Sequence, residues 1–146
     1  MEGKANKTME KTYPQPVVGA FIVNRQNQLL LIKSHKWGGV MWSVPGGRVE
    51  VGETIKHAVE REILEEVGLK AKLVKVFAVF DAINPKNFFR KAHFIFLECY
   101  CKTENNNFQL DQKEIQEAKW FDLEKLKNLN IEPFTQKAIN ELKKNL

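Results

Sequence analysis

A single α/β domain, with a mixed sheet layered between helices, is the fold class this sequence predicts, and three features carry the prediction. Short apolar runs that read as strands stand on both sides of one long amphipathic stretch, Thr54 to Val67. A second amphipathic stretch closes the chain after Pro133. The length of 146 residues suits one domain, and no internal repeat or low-complexity segment marks another.

Met1 to Pro16 is polar, lacks apolar periodicity and ends in Pro14 and Pro16, so residues 1–16 are expected to be a flexible tail and 17–146 the domain. Val17 to Val23 is a continuous apolar run, the pattern of a strand buried on both faces. Asn24 to Gln28 supplies turn residues and Leu29 to Lys33 returns, which reads as a hairpin feeding the sheet. Ser34 to Trp42 is a loop containing Gly38-Gly39. Its Trp37 and Trp42 are either packing residues or stacking surfaces for a base, and Trp42, nearer the Gly46-Gly47 turn, is the less free of the two.

Ala58, Val59, Ile63 and Val67 recur at helical spacing, and Gly68 stands where a left-handed cap is needed, so a helix is expected over 54–67. Leu69 to Phe80 reads as a strand with Val74, Val76, Ala78 and Phe80 on one side. Asn84-Pro85-Lys86-Asn87 is a turn. The Phe88, Phe89, Arg90 and Lys91 that follow could hold a base beside a phosphate tail, although the pattern favours Phe89 as the start of the next strand.

Ala92 to Cys101 is a strand in which Ala92, Phe94, Phe96, Glu98 and Tyr100 share a face. His93 falls on the other face and reads as a hydrogen-bonded structural residue. Glu98 points either into a cleft or to solvent. After a loop tip at Asn105-Asn106-Asn107, an acidic loop from Leu110 leads into a last strand at Ala118 to Phe121. Asp122 is a candidate N-cap for a helix over 123–129. Pro133 opens a final helix to about Lys144 with Phe134, Ala138, Ile139 and Leu142 facing inward.

The bulk composition narrows the function classes. No apolar run reaches the ~18 residues of a membrane span and no secretory h-region is present, which predicts a cytoplasmic protein without a membrane partner. The only cysteines, Cys99 and Cys101, lie two apart on one strand face; they suit neither a disulfide nor a zinc site and read as packed thiols. The net charge of +5 is spread along the chain without a basic block. It therefore argues for mild steering of anionic substrates and against nucleic acid as the main partner.

The chemistry concentrates in Gly47 to Leu69. Glu62, Glu65 and Glu66 stand at i, i+3 and i+4, so three carboxylates share one helix face and repel by ~0.2–0.5 kcal/mol per pair even when exposed. Arg61 can pair with part of that charge. The remainder suits a hard divalent cation bound through oxygen, such as Mg²⁺, which takes one or two carboxylates and shares its shell with substrate phosphates. Val44-Pro45-Gly46-Gly47 precedes the helix, and its glycines allow the backbone a sharp turn or a close approach to a ligand.

Gly47, Glu53, Arg61-Glu62 with Ile63, Glu65-Glu66 and Gly68 with Leu69 occupy every fixed position of the Nudix box. The chain thus resembles the Nudix hydrolases, which cleave nucleoside diphosphates linked to another group. The resemblance implies an α/β/α sandwich, Mg²⁺ or Mn²⁺ as cofactor, and a small-molecule nucleotide as substrate. It implies Gly46 (through its carbonyl), Glu62, Glu65 and Glu66 as metal ligands, with Glu65 also in the catalytic set. Arg61 would hold the glutamates and Glu53 would act from a second layer. A base on the loop before the last strand would be Glu114, with Glu117 the alternative. Trp37, Arg48, Phe88 and Arg90 are the candidate substrate-binding residues. Pro85 falls where ADP-ribose pyrophosphatases of the family tend to carry a proline. A nucleotide sensor without activity and an RNA-directed pyrophosphohydrolase are the rival readings. Oligomeric state is left open, a homodimer included.

Overall fold

Alternation along the first strand explains the layering. In the structure, a computed structural model that describes residues 13–146, β1 (Gln15–Val23) sends Val18, Ala20 and Ile22 to one side and Phe21 and Val23 to the other. Each side is covered by a helix. The first set packs with Ala58, Val59, Ile63 and Val67 of α1 (Ile55–Val67), the second with Ala138, Ile139 and Leu142 of α2 (Pro133–Lys144). The result is a sheet between two helices, the expected α/β/α sandwich. Among the described residues no helix is long and apolar enough to cross a membrane.

The remaining strands are β2 (Gln28–Ser34), β3 (Gly46–Arg48), β4 (Ala71–Ile83), β5 (His93–Thr103) and β6 (Ile115–Asp122). Their order is β4-β5-β1-β2-β6, with β3 pairing to β1. β1 and β5 run parallel and every other pair is antiparallel, so the sheet is mixed.

The helix ends follow from local chemistry. Thr54 accepts a hydrogen bond from His57 N at 3.1 Å, and Gly68 closes α1 with φ +69° and its N–H on Leu64 O. Glu132 caps α2 by accepting from Phe134 N and Thr135 N, with Pro133 in the first turn.

Several expectations need correction. Of residues 1–16, residues 1–12 lie outside the described residues, while Gln15 and Pro16 already pair with Phe94 and Ile95 of β5. β4 does not keep Val74, Val76, Ala78 and Phe80 on one side. Register shifts between Leu73 and Lys75 and between Val76 and Ala78 insert an extra residue twice, and each insertion flips the faces that follow. Leu73 and Val76 therefore feed the α1 layer, Phe77 and Phe80 feed the α2 layer, and Val74 is exposed. Phe77 packs edge-on to Phe21 at 5.2 Å.

Phe89 does not start β5, which begins at His93. Its N–H instead donates to Lys36 O at 2.9 Å within the 84–92 loop. His93 is exposed and makes no side-chain hydrogen bond among the described residues, so it is not a structural histidine. β6 begins three residues before the expected Ala118 because Ile115 pairs with Ser34 across a bulge.

The helix expected over 123–129 is absent. Asp122 Oδ1 caps a turn through Glu124 N, Lys125 N returns to Asp122 O, and Asn128 takes φ +73°, which ends any helical run. Leu123 and Leu126 are buried all the same, pinning two successive turns to the α2 layer. Cys99 and Cys101 are free, buried thiols of the α1 layer, as expected. Burial, with Glu98 adding to it, pushes the Cys99 thiol up to about 12.

Candidate active site

A gap in the sheet creates the site. β1 and β2 pair at Val23 and Leu29 beside their turn and then diverge. The 41–48 segment threads the divergence, with Ser43 bonded to Ile32 on β2 and Gly46–Arg48 paired with Val17–Gly19 on β1. Ala20 N–H, donating to Pro45 O at 2.7 Å, fixes the bend between them. A cleft of about 440 Å³ remains, within the range of small-ligand sites. Glu62, Glu65 and Glu66 of α1 open into it.

Arg61 organises the carboxylates. Its Nε and Nη2 donate to Glu53 at 2.6 and 3.0 Å, its Nη1 donates to Glu62 at 2.9 Å and Glu65 at 3.2 Å, and Nη2 also reaches Arg48 O at 3.1 Å. The guanidinium holds Glu53 down at about 2, helped by the Glu50 N–H. Glu53 also meets His57 Nδ1 at 2.6 Å.

Glu66 is different. It is 5% exposed, and its only hydrogen-bond donor among the described residues is Gly46 N at 3.3 Å. Burial, then the adjacent Glu62 carboxylate, push it well above the usual carboxylate range. Among the described residues no three acidic, His or Cys side chains converge on one point, because Glu62 and Glu65 are turned to Arg61. The donor chemistry nonetheless fits a hard divalent cation. Every available group is oxygen, and the Glu62–Glu66 pair lacks a counter-charge of its own.

The two glycines beside the helix have separable roles. A Cβ on Gly46 would strike the backbone carbonyl of Val18, whereas on Gly47 it would overlap the carboxylate of Glu62, the far end of a flexible side chain. Gly46→Ala is expected to destabilise the protein by about 1–3 kcal/mol through overpacking. Gly47→Ala should leave the melting temperature nearly unchanged while displacing Glu62, so activity falls without the fold. Thermal melts of both variants beside turnover measurements check this. Equal destabilisation would refute the assigned contacts.

The opposite wall carries cations and aromatic rings. Lys36 lies 3.9 Å from Glu114, and both border the cleft together with Arg48 and Arg90. Trp37 packs on Phe88 at 5.0 Å, Phe88 on Phe94 at 5.0 Å, and the Arg90 guanidinium sits 5.5 Å from the Phe88 ring. Trp42, by contrast, is buried against Phe121 in the α2 layer.

The profile of the NUDIX domain matches residues 13–142. The chain belongs to the Nudix family. It is 34% identical over 132 residues to Nudix hydrolase 6 of Arabidopsis thaliana, an alignment covering 82% of this chain and 42% of that protein. It is 32% identical over 117 residues to the NAD-capped RNA hydrolase NudC of Mannheimia succiniciproducens, covering 76% and 41%. The chain thus spans about two fifths of the length of these curated relatives. A crystal structure of a UDP-X diphosphatase superposes with a TM-score of 0.69 at 26% identity, covering 99% of this chain and 72% of that one.

With the Nudix family shown, the residues implied by the box can be located. Gly46, Arg48, Glu62, Glu65, Glu66, Trp37, Phe88, Arg90 and Glu114 all line the cleft. Glu53 and Arg61 stand behind it, joined to it through Glu62 and Glu65. Glu117 is not in the lining and pairs with Lys33 at 3.5 Å on β6. Pro85 is a buried turn residue whose carbonyl accepts from Phe88 N. Lys36, Ser43, Asp111, Glu132 and Thr135 also border the cleft but carry no signal in the sequence. They come from four separate segments, and only the fold gathers them.

Proposed function

We propose that this Nudix protein is a divalent-metal-dependent hydrolase that cleaves the pyrophosphate bond of a nucleoside diphosphate linked to a further group. One observation carries the reading: the Glu62, Glu65 and Glu66 carboxylates open into the same cleft as Lys36, Arg48, Arg90 and the Trp37–Phe88 rings. A pyrophosphate ester needs both an anion-compensating end and a surface for its organic group. The relative named as a UDP-X diphosphatase supports the bond assigned.

Glu62, Glu65, Glu66 and the Gly46 carbonyl are the residues that would hold Mg²⁺, or Mn²⁺ in its place. Bound there, the cation neutralises pyrophosphate oxygens and acidifies the attacking water. Arg61, anchored by Glu53, positions Glu62 and Glu65. Glu114 receives the proton of the attacking water. Lys36, Arg48 and Arg90 compensate phosphate charge, and Trp37 and Phe88 offer an apolar bed for the nucleotide.

The test is a panel of nucleoside diphosphate sugars, nucleoside triphosphates, dinucleotides and a 5′-capped RNA, incubated with Mg²⁺ and with chelator while phosphorylated products are followed. Turnover of at least one diphosphate-linked substrate, lost in chelator, is expected. Tight binding of a nucleotide without turnover of any would favour a sensor and defeat the proposal.

Cation binding should also stabilise the fold, since a ligand bound by the native state alone adds RT ln(1 + [L]/Kd). At 100 Kd that is about 2.7 kcal/mol, a shift plainly visible in a thermal melt. A melting temperature unmoved by millimolar Mg²⁺ and Mn²⁺ would count against these ligands.

A further inference from the structure

The inner end of the cleft, away from the box helix, holds polar groups that the proposed chemistry does not use. Glu98 on β5 is only 4% exposed, borders the cleft, and has no hydrogen-bond partner among the described residues. Its carboxyl is accommodated because Gly19, opposite it on β1, lacks a side chain; a Cβ there would overlap Glu98 Oε1. Ser43 Oγ, lining the same cleft, is buried and likewise unpartnered. An unpaired buried carboxyl and an unpaired buried hydroxyl cost about 1–3 kcal/mol each unless something satisfies them. Two such groups in one cavity point to a ligand that does.

The surroundings define that ligand. Glu132, whose carboxylate already accepts from Phe134 N, Thr135 N and Thr135 Oγ1, lies close enough to act on Glu98 by its charge. Burial, and then Glu132, push the Glu98 carboxyl up to about 8. At neutral pH it is therefore mostly an acid, with one O–H donor beside one C=O acceptor in a single plane. On the same strand face Phe96 stacks with Phe94, their centroids 5.5 Å apart, providing a flat aromatic flank.

The spacing also fits. Glu98 pairs with Gly19 and Gly19 with Gly46, so the carboxyl-bearing residue and the glycine turn of the box lie in one line across three strands. Two interstrand steps are about 10 Å. That is the scale of a nucleoside held by its base at one end and by its 5′-phosphate at the other.

We propose that the inner end of the cleft is a nucleobase subsite and that Glu98 is its specificity-determining residue, pairing in plane with a base edge that presents an acceptor next to a donor. Adenine and cytosine offer such an edge in their ring nitrogen and amino group, and uracil in its amide. A two-donor edge, as on guanine N1 and N2, would need the ionised carboxylate and is disfavoured. This rests on the nucleotide hydrolase reading for the substrate but is tested independently by binding.

The experiment compares wild type, Glu98→Gln and Glu98→Met. Nucleoside 5′-monophosphates of the four bases are titrated calorimetrically without metal, and kcat and KM are measured for the four nucleoside diphosphate glucoses with Mg²⁺. Wild type should spread at least ~10-fold across the bases, and Glu98→Met should erase the spread and weaken the preferred base about 10–100-fold, the size of one bidentate base contact. The loss should fall on Kd and KM rather than kcat, because the contact is remote from the reacting phosphorus. Glu98→Gln keeps a donor and an acceptor in the same plane and should retain the preference within about threefold.

A wild-type base profile in Glu98→Met, or a Glu98→Gln that falls as far as Glu98→Met, overturns the proposal. Replacing a buried carboxyl by an apolar side chain of similar length is not expected to unfold the protein. Should it do so, the Glu98→Gln titrations alone decide. Absence of turnover in wild type defeats the hydrolase reading and leaves this one to the monophosphate titrations.

Discussion

Glu66→Gln is expected to lower kcat by at least ~10²–10³-fold while the melting temperature stays level or rises. The first half follows from electrostatics. Removing one charge from a preorganised group that stabilises transition-state charge typically has that effect. The second half follows from burial. Glu66 is almost fully enclosed, beside Glu62, with only the Gly46 N–H to satisfy it. An amide of the same shape removes the repulsion and keeps an acceptor for that N–H. Glu65→Gln should lose activity similarly with even less effect on stability, since Glu65 is exposed and held only by Arg61 at 3.2 Å. Steady-state kinetics in Mg²⁺ beside thermal melts separate the two halves. Wild-type turnover in either variant would remove these carboxylates from the metal site.

Glu114→Gln should lower kcat by ~10²–10⁴-fold, the range for a lost general base, with substrate affinity little changed. The residue stands just before β6 on the cleft wall, 3.9 Å from Lys36 and close enough for its charge to raise Glu66. That brings it near the carboxylates yet leaves it free of Arg61. Glu117→Gln is the control, because Glu117 pairs with Lys33 away from the cleft. If Glu117 proved sensitive and Glu114 silent, the base would have to reach the cleft by a rearranged 111–117 segment, and the present assignment would be lost.

The parts of the molecule legible in the sequence are those set by local periodicity. Ala58, Val59, Ile63 and Val67 announced α1 because a 3.6-residue stripe needs no knowledge of what covers it, and all four are fully buried. Gly68 and Pro133 marked helix ends for equally local reasons. The faces of β4 were not legible, since nothing in Leu73 to Ala78 distinguishes a bulged strand from a regular one; the extra residues follow from pairing with β5. Leu123 and Leu126 had the spacing of a helix but serve two turns, because Asp122 and Asn128 satisfy the backbone locally.

The site divides the same way. The box carboxylates and Arg61 share one helix, so spacing alone brought them together. Glu98 was ambiguous between cleft and solvent because its neighbours, Gly19 and Glu132, are far away in the chain. Lys36 and Ser43 gave no signal at all, since their importance arises from a loop passing through the opening between β1 and β2.

The two bulges of β4 have a further consequence. A regular edge strand over a sandwich offers one face to each layer along its whole length, and either layer can loosen with little effect on the other. Here the strand changes sides, giving Leu73 and Val76 to the α1 layer and Phe77 and Phe80 to the α2 layer within eight residues. It works as a stitch passed through the fabric of the sheet. Pulling Phe77 away from Phe21 drags the adjoining Val76 out of the opposite core, so the two layers are mechanically tied and open as one cooperative unit. The cleft lies between residues anchored in both layers, Glu66 on one side and Glu132 on the other. Its two walls thus keep their separation through a strand that contributes no residue to the lining.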